Sequence, residues 1–200
     1  MDCTKQGSYR ITATDACLGS AETFAQLSAA VPSLTMQSLT LKLNPSGGGT
    51  WSDYHCEEST DGGWSWAQYG AQGQNWLLVP TDGGEKNGRW YRITAQQGGT
   101  TASVTGRLDN SAAWSLQLTV MDIQTGTADV KFTGASPMGV GPWTYHWFKD
   151  DVEIGGASGR FYEITDLDCS KQGTYRLEVS DNCERSATVD AYLFRQGCTP

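Results

Sequence analysis

One stretch of this chain is written three times. It reads Lys171-Gln-Gly-Thr-Tyr-Arg-Leu-Glu-Val-Ser-Asp-Asn-Cys183 near the end and Lys5-Gln-Gly-Ser-Tyr-Arg-Ile-Thr-Ala-Thr-Asp-Ala-Cys17 near the start. A degraded copy, Lys86-Asn-Gly-Arg-Trp-Tyr-Arg-Ile-Thr-Ala95, stands between them. Aligning Asp2–Leu27 with Asp168–Leu193 needs no gap and gives 13 identities in 26 positions. The lysines that open the copies are 81 and then 85 residues apart. Self-similarity at a fixed period is the mark of a tandem array and constrains the fold before any other feature does.

Each copy reads as strand, turn, strand. Tyr175, Leu177 and Val179 alternate with Arg176, Glu178 and Ser180, a period of two that buries one face. Asp181-Asn182 supplies turn chemistry, and Ala187, Val189, Ala191 and Leu193 continue as a second strand. The first copy begins at residue 2, so the chain is expected to hold one partial N-terminal hairpin (1–30), two complete repeats of about 80 residues (31–112 and 113–196) and a tail (197–200). Met1 standing just before a half-domain points to an excerpt of a longer protein or to an added start codon.

Composition agrees with an all-β chain. Glycine is abundant at 24 residues, only 18% of residues are charged, and there are eight Trp and eight Tyr. Turn signals recur at roughly 8–12-residue intervals, and no helical periodicity stands out. The net charge of −8 lacks the clustered Lys and Arg of a nucleic-acid footprint. No apolar run approaches the length of a membrane span, and no hydrophobic segment follows Met1 to make a signal peptide.

In the first complete repeat, Leu34, Met36, Leu39, Leu41 and Leu43 supply the apolar positions of an opening strand. Further strands are expected over Trp51–Glu57, Trp64–Tyr69, Asn75–Pro80 and the hairpin Trp90–Leu108, with a turn at Thr60-Asp-Gly-Gly63. Asp109–Ala113 then serves as a linker, and the second repeat follows with strands Trp114–Ile123, Ala128–Thr133, Trp143–Lys149, Arg160–Ile164 and the hairpin Gly173–Leu193. Matching the repeats sets Trp66 against Trp147, and Trp76 against Phe161 or Tyr162.

Cys3 and Cys17, like Cys169 and Cys183, lie 14 residues apart and flank the same strand in two copies, whereas the middle copy lacks both. Cysteines present or absent as a pair imply bonds Cys3–Cys17 and Cys169–Cys183, each closing a loop worth about 3 kcal/mol in the chain-entropy model. Such bonds point to an extracellular destination. Cys56 and Cys198 are left paired with each other, bonded to a neighbouring chain, or free.

These residues resemble immunoglobulin-like (Ig-like) β-sandwich domains. Val130-Lys-Phe-Thr-Gly-Ala-Ser136 is similar to a strand B, and Thr144-Tyr-His-Trp-Phe-Lys-Asp150 to a strand C carrying the core tryptophan at Trp147. Asp166–Tyr175 resembles the E–F corner, with Tyr175 as the corner tyrosine. The inter-sheet disulfide of antibody domains has no counterpart, since strand F carries Leu177 and strand B no cysteine. The resemblance is therefore to tandem Ig-like modules of bacterial surface or phage virion proteins. It implies a non-catalytic structural or interaction module on a cell or virion surface (adhesion, fibre or decoration), with protein partners or self-assembly through sheet edges and no cofactor.

The residues offer no foothold for chemistry. His55 and His146 are the only histidines, and no nucleophile, phosphate-loop or zinc-protease pattern occurs. Glu57-Glu58, Asp150-Asp151 with Glu153, and Asp166 with Asp168 read as turn residues and a solvated face, without the ligand density of a calcium site. The feature that points to binding is aromatic: Trp51, Tyr54, Trp64, Trp66, Tyr69 and Trp76 fall within 26 residues. Core positions absorb two or three, and the others cover loops, anchor a protein interface or stack on sugar rings. A candidate platform of Trp51, Tyr54, Trp64 and Trp76 gives the alternative function, a carbohydrate-binding module of a secreted polysaccharide-degrading protein. The partial hairpin is either cut from its domain or docks on a partner's sheet edge, because a lone hairpin is marginal in water.

Overall fold

The structure is a computed structural model that describes residues 5–14, 20–28, 34–81, 87–112, 115–134 and 141–198. It is all-β, with strands close to the expected ones except at 64–69 and 109–112. β1 (Gly7–Thr14) and β2 (Ser20–Leu27) form a two-stranded sheet of their own. The first complete repeat supplies β3 (Met36–Pro45), β4 (Ser52–Ser59), β5 (Ala67–Gln68), β6 (Trp76–Pro80), β7 (Trp90–Gln97) and β8 (Thr100–Ala112). The second supplies β9 (Ser115–Gln124), β10 (Gly126–Gly134), β11 (Thr144–Lys149), β12 (Val152–Glu153), β13 (Phe161–Ile164), β14 (Gly173–Ser180) and β15 (Ser186–Arg195).

The strand order in the second repeat is that of an Ig-like sandwich. β10 and β13 take the places of strands B and E in one sheet, and β12, β11, β14 and β15 those of C′, C, F and G in the other. β9 runs parallel to β15, closing the second sheet with a strand A. The first repeat repeats the pattern with β3, β6 and β5, β4, β7, β8.

The two repeats are not separate beads. Their B strands pair antiparallel, β3 with β10, to give one four-stranded sheet in the order β13-β10-β3-β6. Their G strands share a neighbour, since β9 is parallel to β15 and antiparallel to β8. The second sheet therefore runs through nine strands, β12-β11-β14-β15-β9-β8-β7-β4-β5. Both orders read alike from either end, E-B-B-E and C′-C-F-G-A-G-F-C-C′. The molecule is a double-width sandwich with a pseudo-twofold seam. The segment expected as a linker, 109–113, is strand as far as Ala112, because Asp109 pairs with Gln117 and Ala112 with Ser115.

Why the repeats fuse follows from their apolar faces. Leu39, Leu41 and Leu43 of β3 and Val130 and Phe132 of β10 are all 0–1% exposed and lie in one core with Ile93, Leu118 and Leu193 of the large sheet. Pairing the B strands also removes two long unpaired edges, which are aggregation liabilities. The strands that end the two sheets are short among the described residues: two residues each at β5 and β12, four at β13 and five at β6. Gly134 of β10 sits between both halves: an added Cβ would lie 2.6 Å from Leu177 of its own repeat and 3.5 Å from Leu34 of the first repeat.

The second repeat has the aromatic core that the resemblance implied. Trp147 is fully buried and donates its indole N–H to the Gly159 carbonyl at 2.9 Å. Tyr162 lies 5.7 Å from Trp147 and 5.9 Å from Tyr175, ring centre to ring centre. Tyr175 makes the tyrosine corner, its hydroxyl donating to the Lys171 carbonyl at 2.7 Å. Burial and the nearby Tyr162, Asp150 and Asp168 push its phenol pKa upward.

Two expectations need correction. Cys169 bonds to Cys198, with 5.3 Å between their Cα atoms, and not to Cys183. Cys169 precedes β14 and Cys183 follows it, so the eight-residue strand holds them apart by about 26 Å, far beyond disulfide reach. Antiparallel β15 brings the chain back, pairing Leu193 with Gly173, and delivers Cys198 to the Cys169 end. Cys183 is also disulfide-bonded; the expected Cys3–Cys17 pair lies outside the described residues. The second correction concerns Trp66. Trp147 sits opposite Leu177 on strand F, and the residue in that place in the first repeat is Cys56, opposite Ile93. Cys56 is a buried free thiol, pushed up in pKa by burial and then by Glu57. The smaller side chain leaves the aromatic role in this half to Tyr69 and Tyr91, which meet edge to face at 5.3 Å.

Candidate interaction site

Trp64 is 91% exposed, more than any other large hydrophobic residue among those described. It sits in the loop between β4 and β5, where Ser59, Asp61 and Ser65 bracket Gly62 and Gly63. Asp61 gathers the loop around one carboxylate. It accepts from the Ser59 hydroxyl at 2.7 Å, the Trp64 amide at 3.1 Å, the Ser65 amide at 3.0 Å and the Ser65 hydroxyl at 2.5 Å. The Ser59 hydroxyl oxygen in turn accepts from the Gly63 amide at 2.9 Å. Aspartate and serine close turns in this way because their short side chains reach backbone amides a few residues on. Gly62 and Gly63 both adopt positive φ, at 84° and 92°, which lets the chain double back over the carboxylate.

The electrostatic consequence is a carboxylate held well below its ordinary pKa range, first by the Ser65 hydroxyl and amide, then by Ser59 and the Trp64 amide. The loop is pinned at its backbone while its indole stands in water. An aromatic ring presented on a pre-ordered loop loses little entropy on contact, which is the economy of an interface anchor.

Next to this loop in sequence, Trp66 joins a layered cluster on the outer face of the large sheet. The Arg92 guanidinium lies 4.1 Å from the Trp66 ring centre and bonds Glu57 at 2.7 Å. Arg89 and Glu58 pair at 3.1 Å alongside. Arg92 faces Glu57 directly across β7 and β4, so strand register builds the stack. β5 is only two residues long where a strand over Trp64–Tyr69 was expected, because the loop bonded to Asp61 takes Trp64 and Ser65.

The four expected platform residues do not share one element. Trp51 and Tyr54 are partly buried and pack against the core. Trp51 keeps a buried indole N–H without a partner. Trp76 is 42% exposed and opens β6 on the four-stranded sheet, whereas Trp64 belongs to the nine-stranded sheet's loop. Among the described residues no ring contact joins any two of the four. Phe161, 52% exposed, opens β13 as Trp76 opens β6, so both ends of the small sheet carry an outward aromatic. Turn chemistry places a turn at Thr60-Asp-Gly-Gly63 from the sequence. The bonds that pin it come from Ser59 and Ser65 on either side, and the spacing Ser59-x-Asp61-Gly-Gly-x-Ser65 is their signal.

Elsewhere the site chemistry is sparse. Among the described residues no group of three or more His, Cys, Asp or Glu could hold a metal ion. A cleft of about 120 Å³ lined by Val120, Asp122, Arg195 and Gln196 is below the ~300–1,000 Å³ of small-molecule sites. No helix among the described residues is long and apolar enough to cross a membrane.

No protein-family model and no curated protein matches the sequence. Solved chains that it is similar to include Dscam1 isoform 9.44, N-terminal four Ig domains, at 19% identity and a TM-score of 0.32, covering 94% of this chain and 53% of that one. Dscam1 isoform 6.9, N-terminal four Ig domains, aligns at 16% identity and a TM-score of 0.34, over 94% and 54%. Down Syndrome Cell Adhesion Molecule isoform 1.30.30, N-terminal eight Ig domains, aligns at 20% identity and 0.33, over 95% and 31%. The chain spans about half the length of the four-domain chains. The Ig-like assignment rests on strand order and the tyrosine corner, not on these superpositions.

Proposed function

We propose that the chain is a non-catalytic extracellular interaction module in which a double Ig-like sandwich holds Trp64 out as the anchor for a protein partner, a second copy of the chain. The observation that carries this reading is the exposed Trp64 on a backbone pinned by Asp61. Anchors of this kind, a large aromatic ringed by polar groups, dominate binding energy at protein interfaces. The disulfide Cys169–Cys198 supports an oxidising location, on a cell or virion surface. In this reading 31–112 and 113–196 form the rigid body and 1–30 belongs to a further Ig-like unit.

Sugar binding is the competing use of the same indole. Trp64→Ala separates the two when tested by light scattering over a range of concentrations and by affinity electrophoresis in soluble polysaccharides. The proposal expects concentration-dependent association that Trp64→Ala abolishes, with no polysaccharide retardation. Retardation lost in Trp64→Ala would transfer the site to a carbohydrate. Association and retardation both indifferent to Trp64 would overturn the site.

A further inference from the structure

The hairpin β1–β2 and the hairpin β14–β15 are the same object in two environments. All eight residue pairs of the first, from Gly7↔Leu27 to Thr14↔Ser20, recur in the second from Gly173↔Leu193 to Ser180↔Ser186 at a constant offset of 166. The tyrosine corner recurs too, with the Tyr9 hydroxyl donating to the Lys5 carbonyl at 2.6 Å as Tyr175 does to Lys171. Burial differs completely. Tyr175 and Leu177 are 2% and 0% exposed, while their counterparts Tyr9 and Ile11 are 46% and 62% exposed.

We propose that the Tyr9–Ile11 face of this hairpin is covered by strands B, C and E of another Ig-like unit, standing before it in the same repeat series. The molecule itself shows what covers such a face. β11 pairs along β14, and β10 and β13 close the core from the other sheet. Chain order supports the placement: β3–β6 stand before the hairpin β7–β8, and β10–β13 before β14–β15. A second copy of the chain is the weaker occupant, because its own β14–β15 already fills the matching slot beside β11. A tyrosine corner is a device of a packed E–F junction, and it is out of place on a hairpin that works alone.

Amide hydrogen exchange on the 200-residue chain is the first test. The proposal expects β1 and β2 amides to exchange at least about 100-fold faster than their register partners in β14 and β15. Equal protection in the two hairpins would mean that the face is already covered, and would overturn the proposal. A second chain, with residues 115–167 joined directly in front of Asp2, restores the order of strands seen in the second repeat. Protection of Tyr9 and Ile11 amides should then rise by at least about 100-fold. A third chain asks about fit without added strands, by replacing residues 173–193 with residues 7–27. It is expected to keep one cooperative unfolding transition; failure to fold, or a grafted chain whose hairpin stays unprotected, would contradict the proposal.

Discussion

Lys42 and Asp129 face each other across the seam where the two B strands meet, Nζ to Oδ2 at 3.1 Å. The pair joins repeats 87 residues apart in sequence, and its acidic partner is 5% exposed. Asp129 also accepts from the Asp166 amide at 3.0 Å, which ties the E–F corner to the seam. A charge in this position is held by geometry that only the paired strands provide.

Removing either partner should loosen the seam unequally. Lys42→Met leaves a buried carboxylate with fewer donors, and a loss of about 1–3 kcal/mol is expected. Asp129→Ala forfeits the Asp166 bond as well and should cost about 3 kcal/mol or more, while leaving a lysine that reaches water. Urea unfolding midpoints measure both.

The same carboxylate predicts acid sensitivity. Burial raises the Asp129 pKa, but bonds from Asn44, the Asp166 amide and Lys42 outweigh it and hold the pKa below the ordinary value. A lowered folded-state pKa contributes stability that is present above the unfolded value of about 3.9 and lost as pH falls through the folded value. Stability should therefore decline below about pH 4, and Lys42→Met should move that decline to higher pH. Urea midpoints between pH 2 and 6 test the direction.

Peptide mapping without reduction should recover Cys169 linked to Cys198 and no Cys169–Cys183 species. Cys198→Ser opens a loop with a sequence separation of 29 residues and should cost about 3–4 kcal/mol in the chain-entropy model.

Gly126 opens β10 at φ 144°, where a Cβ would lie 2.2 Å from the Asn44 carbonyl oxygen of β3. Gly126→Ala is expected to destabilise by about 1–3 kcal/mol, because the obstacle is backbone and the φ is unfavourable to any side chain. Thermal unfolding reads this directly.

Trp64→Ala should change stability by no more than about 0.5 kcal/mol, since its side chain is almost wholly exposed. Asp61→Ala should leave the melting temperature near that of the parent but speed hydrogen exchange at the amides of Trp64 and Ser65. A cooperative loss of the whole fold in Asp61→Ala would show that the loop is a structural brace.

Local order was legible and long-range pairing was not. Alternation through Tyr175, Leu177 and Val179 located β14, and the core tryptophan and tyrosine corner fell where strand position put them. The seam left no signal, because Leu39, Leu41 and Val130 read as core positions whether their strands end a sandwich or continue one. The matched spacing of Cys169 and Cys183 misled for a physical reason: recurrence shows that two residues bracket the same strand, and a strand keeps its ends apart. Matching the repeats sets Trp66 against Trp147, yet strand register places Cys56 of β4 there and Trp66 stacks on Arg92. Exposed Trp64 was legible as a candidate, but the loop that pins it depends on side-chain bonds that hydrophobic pattern does not register.

The measurement closest to the central claim is differential scanning calorimetry of the chain, because two repeats sharing both sheets and one core must unfold together. One transition with a calorimetric-to-van't Hoff enthalpy ratio of about 1 is the predicted result. Two resolved transitions, or a ratio near 2, would mean that the repeats unfold as independent beads and that the seam does not exist in solution.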